Sequence, residues 1–472
     1  MKVLFAGRSV YHFTYYESLI RRLCTAGHSV EMVYDKKWSH GQSDESLRKC
    51  LDEYENLVLS WGLRRSDKHR RLIFNTREIR SYTNYLRRAL SDGQSQFYLN
   101  RWRSYLTPLI RFNADKWPLR WLLAREKTQV FLEKIEAWVP PDKQIVRSLQ
   151  EKEPDVVIAS PVDMRFSEEV EYVKAAKSIG IPTVALVLSW DNLTTKGLFA
   201  VVPDLMLVWN DVHLSEAVSI HKVPASDAVI VGSTFFDKWF DADHLLMSRE
   251  HLCRRLGIDP GRPFITYLGS SANIARDESW LVERIIAGIR SHPDEKIRQL
   301  GIVVRPHPAN AKIYERIDAD GVVVWPKNGA LPESETSQKE FFSTLTHCVG
   351  TIGINTSGMI DAIVLDKPCV SAVTEEYQDT QSGAAHFKHL VSSDAVELAQ
   401  GVDESLKSIE TMLSGDDNRK EARKRFVHSF VWPYGNKISA ASVAARVIEL
   451  AARKIAPEEV KLKIQHEFSE TK

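Results

Sequence analysis

Arg305-Pro306-His307-Pro308 is the segment of this sequence best equipped to hold an anion. The two prolines fix the backbone around His307, so its imidazole stands on a rigid turn. A ring N–H donates to a phosphate oxygen, and the Arg305 guanidinium adds a charged donor beside it. A rigid turn with a merely exposed histidine is the plainer alternative. A second candidate is Gly353-Ile354-Asn355-Thr356-Ser357-Gly358, just before a helix expected from Met359. Small hydroxyl residues there cap the helix and leave backbone N–H groups for an anion; an ordinary Ser/Thr cap competes with that reading. Asp361, one turn in, accepts from ribose hydroxyls or simply favours the helix dipole. Ser270 and Ser271, after Gly269, complete a phosphate cradle or form a plain turn.

A second group lies earlier in the chain. In Gly7-Arg8-Ser9-Val10-Tyr11-His12 the glycine allows close approach of a ligand. His12 titrates near neutrality and is a candidate general base, unless it is a loop histidine bonded to backbone. The stretch 189–197, Ser-Trp-Asp-Asn-Leu-Thr-Thr-Lys-Gly, is dense in polar side chains. Asp191 would deprotonate an acceptor hydroxyl there, with Arg8, Trp190, Asn192 and Lys196 on the acceptor side. Equally, Asp191 and Asn192 suit an Asx-turn. Asp163, with Arg165 beside it, is a weaker candidate carboxylate. His28 reads as structural. His347, His386 and His389 lack metal-site spacing, and no Asp-X-Asp tripeptide ends a strand, so no metal is expected.

These residues need elements to hold them at strand ends. Apolar runs at 2–6, 29–34, 155–160, 183–188, 205–209 and 228–231 alternate with helical stretches near 15–25 and 167–178. Strands apolar on both faces and separated by helices indicate a covered parallel sheet. A second series starts afresh: strands at 264–268, 301–305, 322–325, 348–352 and 369–372, with a helix near 278–291. The expected fold is therefore α/β, with two doubly wound Rossmann-like domains facing a cleft. Their bounds are 1–240 for an acceptor domain, 241–430 for a nucleotide-donor domain, and 431–472 for a helix returning to the first domain plus a fraying tail. Ligands in such sheets sit beyond the carboxyl ends of the strands.

A helical insertion at about 60–150 interrupts the first domain. Residues 64–127 hold 16 Lys/Arg against 5 Asp/Glu, a net +11 in a chain whose formal charge is only +1. Trp102, Trp117 and Trp121 interleave with Arg101, Arg103, Arg120 and Arg125, which suits an anionic membrane surface or glycan. Alternatively the aromatic rings are buried against the first domain. With 43% hydrophobic and 26% charged residues the 472-residue composition is that of a globular protein, and near-neutral charge disfavours nucleic acid. Five scattered cysteines form neither a disulfide framework nor a zinc motif. The first apolar run is too short for a signal peptide, and no stretch reaches the roughly 18 apolar residues of a membrane helix. The expectation is a cytoplasmic protein, peripheral at most on the inner face of a membrane.

The opening strand–Gly loop, the Asn-Thr-Ser-Gly helix start and the Arg-Pro-His-Pro turn resemble GT-B glycosyltransferases and their relatives. The Arg-Pro-His-Pro turn is most similar to that of CDP-glycerol glycerophosphotransferases and of capsule sialyl- and Kdo-transferases. There a His-Pro element and a downstream Ser/Thr element hold the nucleotide phosphates, which the resemblance transfers to His307 and Ser357, with Thr356 alongside. The acidic Asp/Glu–Asp/Glu–Gly element of the sialyltransferases is not evident here. Residues 431–435, Val-Trp-Pro-Tyr-Gly, resemble the point where a C-terminal helix crosses back in GT-B enzymes. The resemblance implies metal-independent transfer of a sugar from a nucleotide-activated donor to a surface-polysaccharide or lipid-linked acceptor. The nucleotide sugar is then a co-substrate, and no cofactor is needed. Similar architectures imply three alternatives: a glycerophosphotransferase, a UDP-sugar 2-epimerase, or a nucleotide-binding protein without turnover.

Overall fold

The computed structural model of the protein describes residues 1–40, 45–91, 96–330, 332 and 334–469; residues 92–95 of the basic segment and 470–472 of the tail lie outside them. The strands are β1 (Lys2–Gly7), β2 (Ser29–Tyr34), β3 (Leu57–Trp61), β4 (Val156–Ser160), β5 (Thr183–Leu186), β6 (Leu205–Val208) and β7 (Ala228–Ile230). They continue as β8 (Phe264–Leu268), β9 (Gly301–Arg305), β10 (Val322–Val324), β11 (Thr351–Gly353), β12 (Cys369–Val373) and β13 (Glu397–Gln400). The chain forms two compact units, Met1–Asp237 with His428–Lys472, and Lys238–Val427.

The sheet of the first unit runs β3-β2-β1-β4-β5-β6-β7 and that of the second β10-β9-β8-β11-β12-β13. Every pairing among the described strands is parallel. In each sheet the order reverses between the first strand and the fourth, which opens a crevice at the carboxyl edge. The crevices lie between β1 and β4 and between β8 and β11. Both units are thus doubly wound α/β.

Alternation along the strands explains their apolar character. Val3, Phe5, Val156 and Ile158 pack on one face with Val443, Val447 and Ile448. Leu4, Ala6 and Val157 pack on the other with Leu149, Tyr172 and Ala175. Helix Ala440–Ala452 therefore covers one face of the first sheet, which places the end of the chain in that unit. Where it rejoins, Gly232 has a φ of +88°, and a Cβ there would lie 2.9 Å from the Val431 carbonyl oxygen; only glycine fits.

The differences from the sequence reading lie at the edges. β3 and β13 are not among the strands expected: β13, Glu-Leu-Ala-Gln, has only two apolar residues, and β3, though apolar in sequence, is an edge strand that leaves Val58 and Trp61 half exposed. Cys348 ends the helix Glu335–His347, and the strand after it begins only at Thr351. The helix expected over 15–25 is a 3₁₀ turn, Val10–Tyr15, followed by helix Glu17–Thr25.

The insertion between β3 and β4 is helical: Arg70–Ser91, Gln96–Ser104, Pro108–Asn113, Trp117–Leu123, Glu126–Trp138 and Lys143–Lys152. A buried ion network fastens it. Glu171, on the helix Glu169–Ser178 after β4, accepts from Arg65 at 2.9 Å and forms an ion pair with Arg77 at 2.7 Å, and both its side chain and that of Arg65 have no exposure. Arg77 and Lys174 also meet Glu136, at 2.8 and 2.9 Å. Removing one partner from such a network strands the remaining charges. Glu171→Ala is therefore expected to lower the unfolding free energy by about 3–5 kcal/mol, read by chemical denaturation. A loss under about 1 kcal/mol, the range of a surface ion pair, would refute the anchoring role.

Candidate functional site

In the second unit three loops emerge at the carboxyl ends of the neighbouring strands β9, β8 and β11. The Gly269 amide donates to the Arg305 carbonyl at 2.9 Å. A Cβ on Gly269 would stand 2.6 Å from the Tyr314 hydroxyl and 3.2 Å from the His307 nitrogen. The close approach of these two loops thus needs glycine. Glu278, fully buried, holds the turn from beneath: it accepts from the hydroxyls of Tyr267 and Tyr314, each at 2.8 Å, and from the Ser270 amide. Burial pushes its carboxyl up to about 7. Ser270 is buried and Ser271 half-buried, its carbonyl starting the next turn.

Arg305 lies with its guanidinium 4.1 Å over the Phe341 ring. Among the described residues no carboxylate comes within salt-bridge distance of it; its Nη2 reaches only the Ala330 carbonyl, at 3.5 Å. Burial brings its pKa down to about 10 against the opposing pull of Asp361 and Glu340, and it stays charged at neutral pH. His307 Nδ1 accepts from the Ala309 amide at 3.1 Å. That bond puts the proton on Nε2, and burial lowers the imidazole pKa to about 4. At neutral pH His307 is therefore a neutral N–H donor rather than an imidazolium.

Around Gly353–Gly358 the structure redistributes the expected roles. The amides of Gly358, Met359 and Ile360 are bonded inside the turn, to Thr356 Oγ1, the Thr356 carbonyl and the Ser357 carbonyl. They do not point outward, and the helix Gly358–Val364 has only seven residues. What remains to meet a ligand is the hydroxyls of Thr356 and Ser357, the latter making no capping bond. Asn355 is buried, its amide engaged by the Thr380 carbonyl at 2.9 Å and by His386 at 3.2 Å, so it anchors the loop. Asp361 is also buried, accepting from Trp239 Nε1 at 2.6 Å and Lys238 Nζ at 3.0 Å. It supports the cationic side of the site instead of reaching for a ribose. Beyond β12 and β13, on the same sheet edge, a cavity of about 820 Å³ is lined by Trp280, Arg284, Thr374, Gln378 and Gln400.

In the first unit, charged groups gather at the β1–β4 crevice. The Arg8 guanidinium lies 4.2 Å over Trp38 and is attracted by Glu169, Asp35 and Asp163. Burial dominates and lowers its pKa nonetheless. Asp163 accepts from Asn192 Nδ2 at 3.0 Å. Burial raises its carboxyl to about 7, only partly offset by Lys196. Glu169 and Glu78 rise to about 7 for the same reason, opposed by Arg8 and Arg165 respectively. His12 falls to about 4 through burial and the charges of Arg8 and Lys196. It is thus a poor base here, and Asp163 is better matched to neutral pH.

Asp191 accepts from Thr195 at 2.8 Å and Lys196 at 3.1 Å. The Asx-turn is not what forms: Asp191 makes no capping bond to the following backbone. Trp190 is buried and Asn192 is committed to Asp163, so neither is placed as an acceptor contact. The insertion holds this turn: Tyr85 donates to the carbonyls of Thr194 and Lys196 at 2.9 and 2.8 Å, and Trp102 stacks on Tyr85.

Glu169, Glu78, Glu278 and Lys238 escaped the sequence reading. For Glu78 a signal existed, since it is the only acidic residue in the basic helix Arg70–Ser91. Glu169, beside Glu168 near a helix start, reads like an ordinary dipole-favouring pair.

No family model matches the sequence, and no curated protein matches it. The fold has solved counterparts. A Listeria monocytogenes protein assigned as a UDP-N-acetylglucosamine 2-epimerase superposes with a TM-score of 0.56 at 9% identity, covering 96% of this chain and 97% of that one. The S. aureus protein MnaA, in co-structure with UDP, gives 0.55 at 12%, over 96% and 97%. The UDP-GlcNAc 2-epimerase of Neisseria meningitidis, bound to UDP-GlcNAc, gives 0.52 at 12%, over 96% and 100%. At such identities the likeness is one of fold: the protein has the two-domain GT-B fold.

The raised carboxyl of Asp163 sets a pH test. Below its ordinary 3.8 both folded and unfolded chains hold the proton; between there and about 7 the unfolded chain releases it and the folded one does not. Stability therefore falls as pH rises through that window. Asp163→Asn removes this slope, so its stability relative to the natural chain should climb by roughly 1.4 kcal/mol per pH unit between pH 5 and 7. Denaturant unfolding at several pH values reads the difference, and a pH-independent difference refutes it.

Proposed function

We propose that the protein is an enzyme acting on a nucleotide-activated sugar, and that it transfers the sugar to an acceptor hydroxyl. The observation that carries this is Arg305, a charged guanidinium with no carboxylate within salt-bridge distance among the described residues, next to the Nε2–H of His307 at the carboxyl edge of its sheet. A diphosphate supplies the missing anion. The hydroxyls of Ser270, Ser271, Thr356 and Ser357 complete the donors, and the aromatic wall at Trp280 suits a nucleobase. In the transfer, the acceptor oxygen bonds to the anomeric carbon as the carbon–oxygen bond to the phosphate breaks. The phosphate leaves with that electron pair, and Arg305 and His307 stabilise its charge. The acceptor's proton passes to a general base, for which Asp163, raised to about 7, and Asp191 are the candidate carboxylates. The resemblance of Arg305–Pro308 to glycerophosphotransferase and capsule-transferase turns supports a surface-polysaccharide or lipid-linked acceptor, and glycerophosphate transfer would use the same phosphate site.

One observation favours a second reading, the sugar-nucleotide 2-epimerase. Such chemistry needs acids and bases converging on one sugar, and Arg8, His12, Asp163, Glu169 and Glu78 do converge. The fold counterparts assigned as UDP-N-acetylglucosamine 2-epimerases favour the same reading.

A thermal-shift screen against UDP, GDP, CDP, CMP and their sugar conjugates tests the donor site. Ligand at 100 times its Kd should add about 2.7 kcal/mol of stability. Arg305→Ala and His307→Ala should each weaken binding, by roughly 10- to 150-fold for the charged arginine. No shift with any nucleotide would refute the donor site. The bound nucleotide sugar, incubated alone and followed by proton NMR, then separates the two reactions. Isomerisation without acceptor means epimerase, and nucleotide release only with acceptor means transferase. Binding without either refutes both and leaves a nucleotide-binding protein.

A further inference from the structure

Part of the insertion exposes apolar side chains that its own fold does not use. Helix Pro108–Asn113 has no buried residue, and helix Trp117–Leu123 buries only Leu123. Leu109 and Trp117 are each 78% exposed and Phe112 67%. Trp121 and Leu122 are half exposed. Leu109 and Phe112 are three residues apart, and Trp117 and Trp121 four, so each pair shares a helix face. Exposed apolar groups clustered in this way mark an interaction surface.

The charge around them has one sign. Residues 101–125 contain six Lys/Arg and a single acid, Asp115. Asp115 is itself taken up by Arg103 and Arg120, which ties the helix Gln96–Ser104 to the helix Trp117–Leu123. Two rings carry cations directly: Arg125 lies 4.0 Å over Trp121 and Arg111 4.8 Å over Phe112. Such pairs present an apolar body with a positive head, the form that settles at a lipid headgroup boundary.

We propose that residues 108–125 dock the protein onto an anionic lipid bilayer, with Leu109, Phe112, Trp117 and Trp121 entering the interface and the surrounding Arg and Lys meeting the headgroups. Charge complementarity selects this occupant. A second copy would set two positive faces against each other. A glycan would stack on the rings but has no use for Leu109 and Leu122. Insertion and charge are the two signals that stable peripheral binding needs. The proposal is independent of the reaction proposed above.

The test uses the full-length protein in co-sedimentation with phosphatidylcholine vesicles and with phosphatidylcholine–phosphatidylglycerol vesicles. Binding to the anionic vesicles only is expected. The double variant Trp117→Ser/Trp121→Ser should lose at least about tenfold in affinity. Arg111→Gln/Lys116→Gln should lose roughly fivefold per cation removed. Both variants should keep the thermal midpoint of the natural chain, because the side chains lie outside the core. Three results would each overturn the proposal: no binding to anionic vesicles, equal binding to neutral ones, or undiminished binding by both variants. Concentration-dependent dimerisation abolished by the tryptophan variant, without vesicle binding, would assign the surface to a second copy. Retention on a soluble polyanionic glycan without vesicle binding would assign it to a sugar chain.

Discussion

Parallel pairing is the constraint from which the rest of this structure follows. A parallel strand can return only through a crossover on a face of the sheet, so both faces become covered and both sides of the strand become apolar. The same constraint delivers every strand to one edge, where the following loop begins. Arg8, Asp163 and Asp191 therefore share an edge although more than a hundred residues separate the first from the others, and Ser270, Arg305 and Thr356 share the edge of the second sheet. The reversal of strand order then parts two of those loops in each unit. The residues with chemistry are held there without needing to be near one another in sequence.

Buried charge divides into two kinds. In the insertion anchor, burial pushes Glu136 up, but Arg77 and Lys174 outweigh it and hold the carboxyl below its usual range. Such a group stays ionised and serves as a strut. At the β1–β4 crevice the balance runs the other way. Glu78, Asp163 and Glu169 have cations nearby, yet too few to offset burial, and all three rise to about 7. Carboxyls poised near neutrality can give or take a proton in ordinary buffer, while a strut cannot. This contrast, rather than residue type, distinguishes the crevice from the anchor.

That balance is also why the site was only partly legible from residue order. Two-sided apolar runs such as 264–268 and 301–305 revealed their strands and so the positions of Arg305 and His307. The edge strands Leu57–Trp61 and Glu397–Gln400 hid for different reasons: the first adjoins the basic segment and leaves Val58 and Trp61 half exposed, and the second has polar residues at both ends. Polar residues at strand ends were read as ligand contacts, but Asn355, Asn192 and Asp361 turned out to bond protein groups, a distinction fixed by partners far along the chain. The protonation of His307 depends on an amide two residues on and on how deeply the turn is buried, neither of which the tetrapeptide displays.

The insertion shows how one helical segment can serve both sides of its surface. Its inward rings order the polar turn after β5: Tyr85 caps the carbonyls of Thr194 and Lys196, Trp102 stacks on Tyr85, and Ser81 receives the Leu198 amide at 3.1 Å. Without them that turn would need other donors for its carbonyls, since a buried unpaired carbonyl is costly. The outward rings, Trp117 and Trp121, contribute nothing of this kind. Aromatic content alone made both sets look alike, and burial separates them: Tyr85 and Trp102 are in the core while Trp117 stands almost clear of the surface. The inward set is thus explained by folding, and the outward set is the one on which the proposed bilayer contact rests.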